Sequence, residues 1–198
     1  MERDLVIFKI HKPSKTYDII DLTTVSMAKQ IAKEKESSFN EAVKIAMDDF
    51  PRGKAKILDV VENGFNCKVE KEAEQQDYDI NLFSSYLVLN KKAYTAIGNH
   101  LQGCGEFVPL NCEKELFLFN PLIFEEEEED KDLTEKAYLD GFEDGLKSLA
   151  FKSDLNLIFK SSIQGGKSIY CNAAFKTLVK ENNLTGITFN SDLLSIFA

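Results

Sequence analysis

The stretch Gly165-Gly166-Lys167-Ser168 ends like a phosphate-binding loop, in which backbone amides surround phosphate oxygens and a lysine contacts them. That motif also requires a second glycine, five positions before Gly166, and the residue at that position is Ser161. It further requires a helix after the loop, whereas the residues on both sides of this stretch have the apolar pattern of strands. We therefore interpret the stretch as a tight turn and expect no nucleotide to bind there.

Cys104 and His100 could form a nucleophile and its general base, since an imidazole beside a thiol can remove its proton. Both residues lie at the end of a predicted helix that continues into the loop Gln102-Gly103-Cys104-Gly105. No third residue that would orient the histidine is evident in the sequence. We predict a loop thiol and a surface histidine, and hence no catalytic residues. A small hydrolase or transferase that uses Cys104 or scattered carboxylates is kept as the alternative function.

Residue types that ligate metals are present, but their spacing is not that of a metal site. The four cysteines, at positions 67, 104, 112 and 171, show no paired zinc-binding spacing, and the chain has two histidines. Residues 125–130 are six consecutive carboxylates, whereas a calcium loop alternates its ligands and has a glycine at its bend. We predict reduced thiols, no metal and no cofactor.

The formal net charge of −9 is concentrated in one segment of the chain. Residues 113–144 contain 13 acidic residues and three lysines, a net charge of −10, and the other residues together carry +1. A field of one sign steers an oppositely charged partner and raises its association rate. The sequence has no basic stripe that could neutralise phosphates, which argues against nucleic-acid binding. A solvated loop is the alternative to a partner-binding rim, for which the predicted residues are Glu125, Glu126, Glu127, Glu128, Glu129, Asp130 and Asp132.

Two segments of the chain share one pattern, a short apolar strand, a helix and a second apolar strand. In each of them an asparagine at the end of the first strand can cap the helix, Asn90 in the first unit and Asn172 in the second. The capping asparagine and an aromatic residue of the returning strand, Phe107 or Phe189, are 17 residues apart in both units. We expect the two units to superpose and to lie on one shared sheet.

The remaining periodicity and turn residues predict further elements. In chain order they are strands at 5–10 and 17–22, a helix with an apolar stripe over 25–32, a helix begun by a capping box at 38–41 and ended by Pro51, a hairpin of 57–61 with 65–69, a polar surface loop at 70–79, a hairpin of 106–110 with 115–119, a mobile acidic run at 125–130, a helix over 132–149 and a strand at 155–159. Strands outnumber helices and the hairpins are antiparallel. We therefore predict an α+β fold with a mixed, largely antiparallel sheet and packed helices.

The two units also carry a resemblance to a known family. The first block is Ser85-Tyr86-Leu87-Val88-Leu89-Asn90-Lys91-Lys92-Ala93, followed by Gly105-Glu106-Phe107-Val108-Pro109-Leu110 and Leu116-Phe117-Leu118-Phe119-Asn120-Pro121. The closing block is Ser168-Ile169-Tyr170-Cys171-Asn172, Phe175 and Leu184-Thr185-Gly186-Ile187-Thr188-Phe189. Over residues 77–190 the sequence resembles bacterial immunity protein family 11 of polymorphic-toxin systems. Residues 125–151 depart from that resemblance, because they are longer than expected between its two blocks.

The resemblance implies a cytosolic protein that binds and neutralises one toxin, encoded by a neighbouring gene, by occluding it without turnover. It does not identify the toxin, and its motifs carry no catalytic signature. The acidic segment adds the expectation that the cognate toxin has a basic surface.

Length and composition set the remaining limits. A chain of 198 residues with 43% hydrophobic content can bury one sizeable core. We predict one domain over residues 1–198, with a division into 1–76 and 77–198 as the alternative. No run approaches the roughly 20 apolar residues of a membrane span, and the first ten residues are too charged for a secretory signal. These features predict a cytoplasmic protein that does not contact a membrane.

Overall fold

The computed structural model describes residues 6–14, 16–71, 78–125, 134–151 and 155–195, except for the side chains of residues 143 and 144. The predicted α+β class, with mixed and largely antiparallel strand pairing, is confirmed. The helical elements are α1 (Thr24–Lys35), α2 (Phe39–Lys44), a π-helical segment (Ile45–Asp49), α3 (Phe50–Arg52), α4 (Lys91–Leu101) and α5 (Ala173–Glu181). The strands are β1 (Ile7–His11), β2 (Phe65–Asn66), β3 (Ile80–Phe83), β4 (Tyr86–Asn90), β5 (Gly105–Asn111), β6 (Leu116–Pro121), β7 (Lys136–Leu139), β8 (Phe142–Leu146), β9 (Ile158–Lys160), β10 (Ile169–Asn172) and β11 (Thr188–Asn190).

These strands form three sheets. Sheet 1 has the order β2-β5-β6-β4-β3, and sheet 2 has the order β11-β1-β10-β9. The third sheet is the hairpin of β7 and β8. Within the described sheets, β2 and β5 pair in parallel and every other pair of neighbouring strands is antiparallel.

The two large sheets pack through the apolar residues that alternate along their strands. Leu87 and Leu89 of β4 belong to a buried cluster that also contains side chains of α4, α5 and sheet 2. The intervening Val88 belongs to a second cluster, formed with α1, α2 and α3 on the opposite face of sheet 1. In sheet 2, Cys171 of β10 faces the first cluster, while Tyr170 packs with apolar residues of 149–155 on the outer face. One buried cluster therefore joins the facing sides of the two sheets with α4 and α5.

Both predicted strand-helix-strand units exist, as β4-α4-β5 and β10-α5-β11. Asn90 accepts a hydrogen bond from the amide of Ala93 at 2.9 Å, and Asn172 accepts one from the amide of Phe175 at 3.0 Å. The prediction that they share one sheet is wrong, because the first unit lies in sheet 1 and the second in sheet 2. Each unit instead encloses one antiparallel strand, β6 between β4 and β5, and β1 between β10 and β11.

A buried carboxylate joins the two units. The predicted surface loop 70–79 ends in Asp79, which is 5% exposed, and residues 72–77 lie outside the described part of the chain. Asp79 accepts hydrogen bonds from Asn90 (3.1 Å) and Lys92 (2.9 Å) of the first unit and from the amide of Thr185 (3.0 Å) after α5. Burial raises the pKa of Asp79, but the hydrogen bonds outweigh burial and lower the pKa below its usual value.

The amino-terminal residues differ from the prediction in two places. The expected strand at 17–22 makes one isolated bridge, between Ile20 and Val69. Its apolar residues Ile19, Ile20 and Leu22 are all buried in the cluster that includes α1. The second predicted helix does begin at Ser38, whose hydroxyl accepts from the amide of Glu41 at 3.2 Å. That helix continues past Pro51 to Arg52, because a proline is tolerated in the first turn of α3.

The hairpin predicted for 57–61 and 65–69 is wrong. Residues 57–60 form a turn whose amides at Ile57 and Leu58 donate to the carboxylate of Glu106, at 2.6 and 3.3 Å. Gly64 has φ 72° and lies so close to β5 that a Cβ would overlap the carbonyl oxygen of Pro109. The chain therefore leaves Gly64 as β2, parallel to β5, and not as the return strand of a hairpin. By contrast, the hairpin predicted at 106–110 and 115–119 is confirmed as β5 and β6.

The helix predicted over 132–149 is also wrong, as far as the described residues 134–149 show. They form the hairpin of β7 and β8, with Asp140 and Gly141 at its turn. Both turn residues have positive φ, 51° and 84°, as the tight two-residue turn of a hairpin requires. Of the apolar residues that predict a helix, Tyr138 lies in β7, Phe142 and Leu146 lie in β8, and Leu149 follows the hairpin.

Candidate partner-binding surface

The β7–β8 hairpin is held by hydrogen bonds at its open end. The amide of Lys147 donates to the carbonyl oxygen of Glu135 at 2.8 Å, and the amide of Glu135 donates to the hydroxyl of Ser148 at 3.1 Å. The carboxylate of Glu135 also pairs with the Lys147 ammonium at 2.8 Å. This pair lowers the pKa of Glu135 and raises the pKa of Lys147. One step further out, the amide of Ala150 donates to the hydroxyl of Thr134 at 3.1 Å.

The opposite end of the hairpin exposes three large apolar side chains. Tyr138, Leu139 and Phe142 are 65%, 63% and 79% exposed. Leu139 is directly opposite Phe142, so these two share one face, and Tyr138 belongs to the other face. Among the described residues, the hairpin forms no hydrogen-bonded pairing with another strand. Of its apolar side chains that the structure describes, Leu146 is the one that packs on the core cluster under sheet 2. An exposed apolar tip of this kind is typical of a surface that binds another macromolecule.

No residue of the predicted acidic rim lies on this hairpin in the described part of the chain. Glu125 is 3% exposed, so it does not belong to an exposed rim. Its carboxylate accepts from the amide and the side chain of Asn156, at 3.3 and 3.0 Å, and its own amide donates to the carbonyl oxygen of Lys160. The other predicted rim residues, at positions 126–130 and 132, lie outside the described residues. The chain enters the hairpin directly after them, and Glu135 and Asp140 place exposed carboxylates on it.

The two residues proposed as a thiol nucleophile and its base have different environments. Cys104 is 4% exposed and packs in the cluster between the sheets, while His100 is exposed on the last turn of α4. The backbone of Cys104 is fully used, since its amide donates to Leu101 and its carbonyl oxygen accepts from Leu122. Cys104 lies in the turn after α4, as predicted for a loop thiol, and this turn folds back onto the core so that the thiol is buried.

The glycines at 165 and 166 form a turn in which their backbone amides donate hydrogen bonds to residues of the same turn. The amide of Gly165 donates to Ser162 at 2.7 Å, and the amide of Gly166 donates to Ser161 at 2.8 Å. Strand β10 follows at Ile169, as the sequence predicts. A phosphate-binding loop needs free amides and a helix after them, and this turn supplies neither.

A cavity of about 480 Å³ lies between the segment 18–24 and sheet 1. Its lining includes the carboxylates of Asp18, Asp21 and Glu70, but the first two have partners. Asp18 pairs with Lys12, and Asp21 accepts from the amide of Lys68 at 2.7 Å. No histidine or cysteine is among the described residues that line it.

Sequence reasoning missed one buried cation, Lys160. This residue is fully buried at the end of β9, and its ammonium donates to the carbonyl oxygen of Pro51 at 3.3 Å. The ammonium lies 5.5 Å from the ring centre of Tyr86 and 5.9 Å from that of Phe124. No carboxylate among the described residues pairs with it, and burial lowers the pKa of Lys160 to about 7. The hydrogen bond to Pro51 joins the end of β9 in sheet 2 to the amino-terminal helices.

The described residues contain no group of three or more histidine, cysteine, aspartate or glutamate side chains arranged to hold a metal ion. Over the same residues, no helix has the length and apolar character needed to cross a membrane. Comparison of the chain with known protein families and with curated proteins finds no match. The likeness to an immunity family therefore stays a prediction from the residues named above.

Proposed function

We propose that this protein is a cytoplasmic inhibitor of the immunity type, which binds one bacterial toxin and occludes it stoichiometrically. The observation that carries the proposal is the β7–β8 hairpin, with Tyr138, Leu139 and Phe142 exposed at its tip. Large aromatic and aliphatic side chains of this kind supply most of the free energy at protein interfaces when a partner buries them. The resemblance of residues 77–190 to an immunity family supports the same reading.

Charge supports a basic partner. The segment 113–144, which contains β7 and the first residues of β8, has a net charge of −10 in a chain whose other residues are nearly neutral. Exposed carboxylates on the hairpin, such as Asp140 at its tip, match the polar rim that usually surrounds the apolar core of an interface. They speed the encounter with a basic surface and contribute little each to affinity. A basic cleft that handles a phosphate-containing substrate is one target that such a hairpin would block.

The test uses the toxin domain encoded by the neighbouring gene, purified in an inactive form. We expect Phe142→Ala to weaken binding at least 30-fold, the equivalent of about 2 kcal/mol. Leu139→Ala tests the same face of the hairpin, and Tyr138→Ala tests the other. Phe39→Ala is the matched control, because Phe39 is an exposed aromatic residue (45%) on α2 and not on the hairpin.

Binding is measured by calorimetry, and protection is measured as growth of cells that express the active toxin. A hairpin variant that loses binding must retain the denaturant midpoint of the parent protein, so that misfolding is excluded. If all three hairpin variants and the control bind equally well, the hairpin is not the interface. If the parent protein neither binds nor protects, the inhibitor function itself is wrong.

A further inference from the structure

Two half-buried cysteines lie side by side, each directly after the end of one of two neighbouring strands, β2 and β5. Phe65 and Asn66 of β2 pair in register with Leu110 and Asn111 of β5, and the ladder continues as the amide of Cys67 donates to the carbonyl oxygen of Asn111 at 3.3 Å. The next residue on the second strand is Cys112, so Cys67 and Cys112 are cross-strand neighbours. Both pack at the margin of the cluster that α1–α3 form with sheet 1, which places their side chains on one face.

This geometry fits a disulfide. Neighbouring strands lie about 4.8 Å apart, and disulfides join Cα atoms roughly 4.4–6.8 Å apart. The two thiols are close enough for a hydrogen bond to each other, and the thiol of Cys112 also donates to the carbonyl oxygen of Lys114 at 3.1 Å. Both cysteines are partly exposed, whereas Cys104 and Cys171 are buried. A small oxidant therefore reaches this pair first.

We propose that Cys67 and Cys112 are a redox-modified pair, which a peroxide converts into a reversible intramolecular disulfide. The Cys112 thiolate attacks one peroxide oxygen, the O–O bond breaks, and hydroxide leaves and takes up the proton lost by the thiol. The Cys67 sulfur then attacks the resulting sulfenic acid, an S–S bond replaces the S–O bond, and water leaves with the Cys67 proton. Two thiols and one hydrogen peroxide thus give one disulfide and two waters.

The order of the two sulfurs follows from their surroundings. Burial, the neighbouring Cys112, and the carboxylates of Asp21 and Glu113 raise the pKa of Cys67 to about 12. Cys67 is therefore the less reactive thiol toward peroxide, so Cys112 is oxidised first, and Cys67 gives up its proton only as it attacks the sulfenic acid.

The cross-link would fix the segment 65–69 between two neighbours. On one side this segment already bonds to β5, and on the other Val69 bridges Ile20 and the amide of Asp21 donates to Lys68 at 3.0 Å. The disulfide therefore ties the wall of the 480 Å³ cavity, which includes Ile20 and Asp21, to sheet 1. This inference does not depend on the proposed inhibitor function.

The test exposes the native full-length protein to hydrogen peroxide, then quenches the reaction and alkylates the remaining thiols in denaturant. Non-reducing peptide mapping should show one Cys67–Cys112 cross-link in a monomer, with Cys104 and Cys171 alkylated and the cross-link lost on reduction. Cys112→Ser and, separately, Cys67→Ser should abolish the cross-link, and Cys104→Ser should leave its yield unchanged. Four alkylated cysteines, a cross-link between other cysteines, a dimer, or sulfinic acid at Cys112 without a cross-link would each overturn the proposal.

Discussion

Replacement of the buried Lys160 by methionine should stabilise the protein and change how its stability depends on pH. The lysine stem lies among apolar groups, and its ammonium has one carbonyl oxygen and two aromatic rings as neighbours. Methionine fills most of the same volume and carries no charge into the interior. Replacing a buried charge with a well-packed apolar residue is often neutral or stabilising.

The magnitude follows from the change in pKa on folding. Lys160 titrates at about 7 in the folded protein and at 10.5 when exposed, so the unfolded chain binds the proton more tightly. Stability therefore rises with pH between these two values and is lowest below pH 7. At 1.36 kcal/mol per tenfold change in proton affinity, the cost of burying this group is about 4 kcal/mol at pH 7 and about 3 kcal/mol at pH 8.5. Lost contacts with Pro51 offset part of the gain expected for Lys160→Met.

Urea unfolding at intervals from pH 6 to pH 8.5 measures this difference. The advantage of the variant over the parent protein should shrink by roughly 1.5 kcal/mol between pH 7 and pH 8.5. Burial raises the pKa of Cys171, and the unfolded chain loses that thiol proton near pH 9, but this contribution is the same in both proteins and cancels in the difference. The lowered pKa of Lys9 acts equally on both proteins and cancels in the difference.

Lys167→Met is the matched control, since Lys167 is exposed in the turn before β10. Its unfolding free energy should follow the parent protein at every pH. Parallel curves for Lys160→Met and the parent protein would show that Lys160 has an ordinary pKa, and the reasoning from burial would then be refuted.

Three other perturbations test separate parts of the structure. Asp79→Asn should lower the free energy of unfolding by about 2 kcal/mol at pH 7, because the charge-assisted hydrogen bonds of Asp79 are lost. Folding lowers the pKa of Asp79, so this loss of stability should shrink when urea unfolding is repeated below pH 4. A loss that stays constant with pH would contradict this prediction. Gly141→Ala should raise the hydrogen-exchange rates of the hairpin amides, because φ is 84° at this position and alanine is strained there. The urea midpoint of global unfolding should stay unchanged. A shifted midpoint would mean that the hairpin unfolds together with the core. Replacing all four glutamates at positions 126–129 with glutamine should slow association with the toxin at low salt and barely alter dissociation, as measured by stopped flow at several ionic strengths. An unchanged association rate would mean that this acidic run is a solvated loop with no part in binding.

Local signals predicted the two capped units correctly. Asn90 and Asn172 each end an apolar strand and bond to an amide three residues later, so the information lies within a few residues. The sheet to which each unit belongs is not local. It depends on β1, which pairs with strands more than 160 residues away, and no nearby residue records that partner.

The errors have physical causes of the same kind. Residues 57–61 look like a strand, but the carboxylate of Glu106 takes the amides that a hairpin partner would have bonded. The helix over 132–149 was inferred from apolar spacing, although Asp140-Gly141 is a strong hairpin turn and was overlooked. The sequence shows where the acidic segment lies. It did not reveal the exposed hairpin that follows this segment or the burial of Glu125.

The position of β1 sets an order for folding during synthesis. Phe8 leaves the ribosome long before its partner Cys171, which is more than 160 residues later in the chain. At about 5–20 residues per second, this apolar strand waits several seconds or more before either neighbour exists. Sheet 1, whose strands are contiguous from β3 to β6, can form in that interval. Sheet 2 closes last, by insertion of the oldest strand between the two youngest, and such distant pairing is slow. Until then the unpaired strand is a site where chaperones or a second nascent chain can bind.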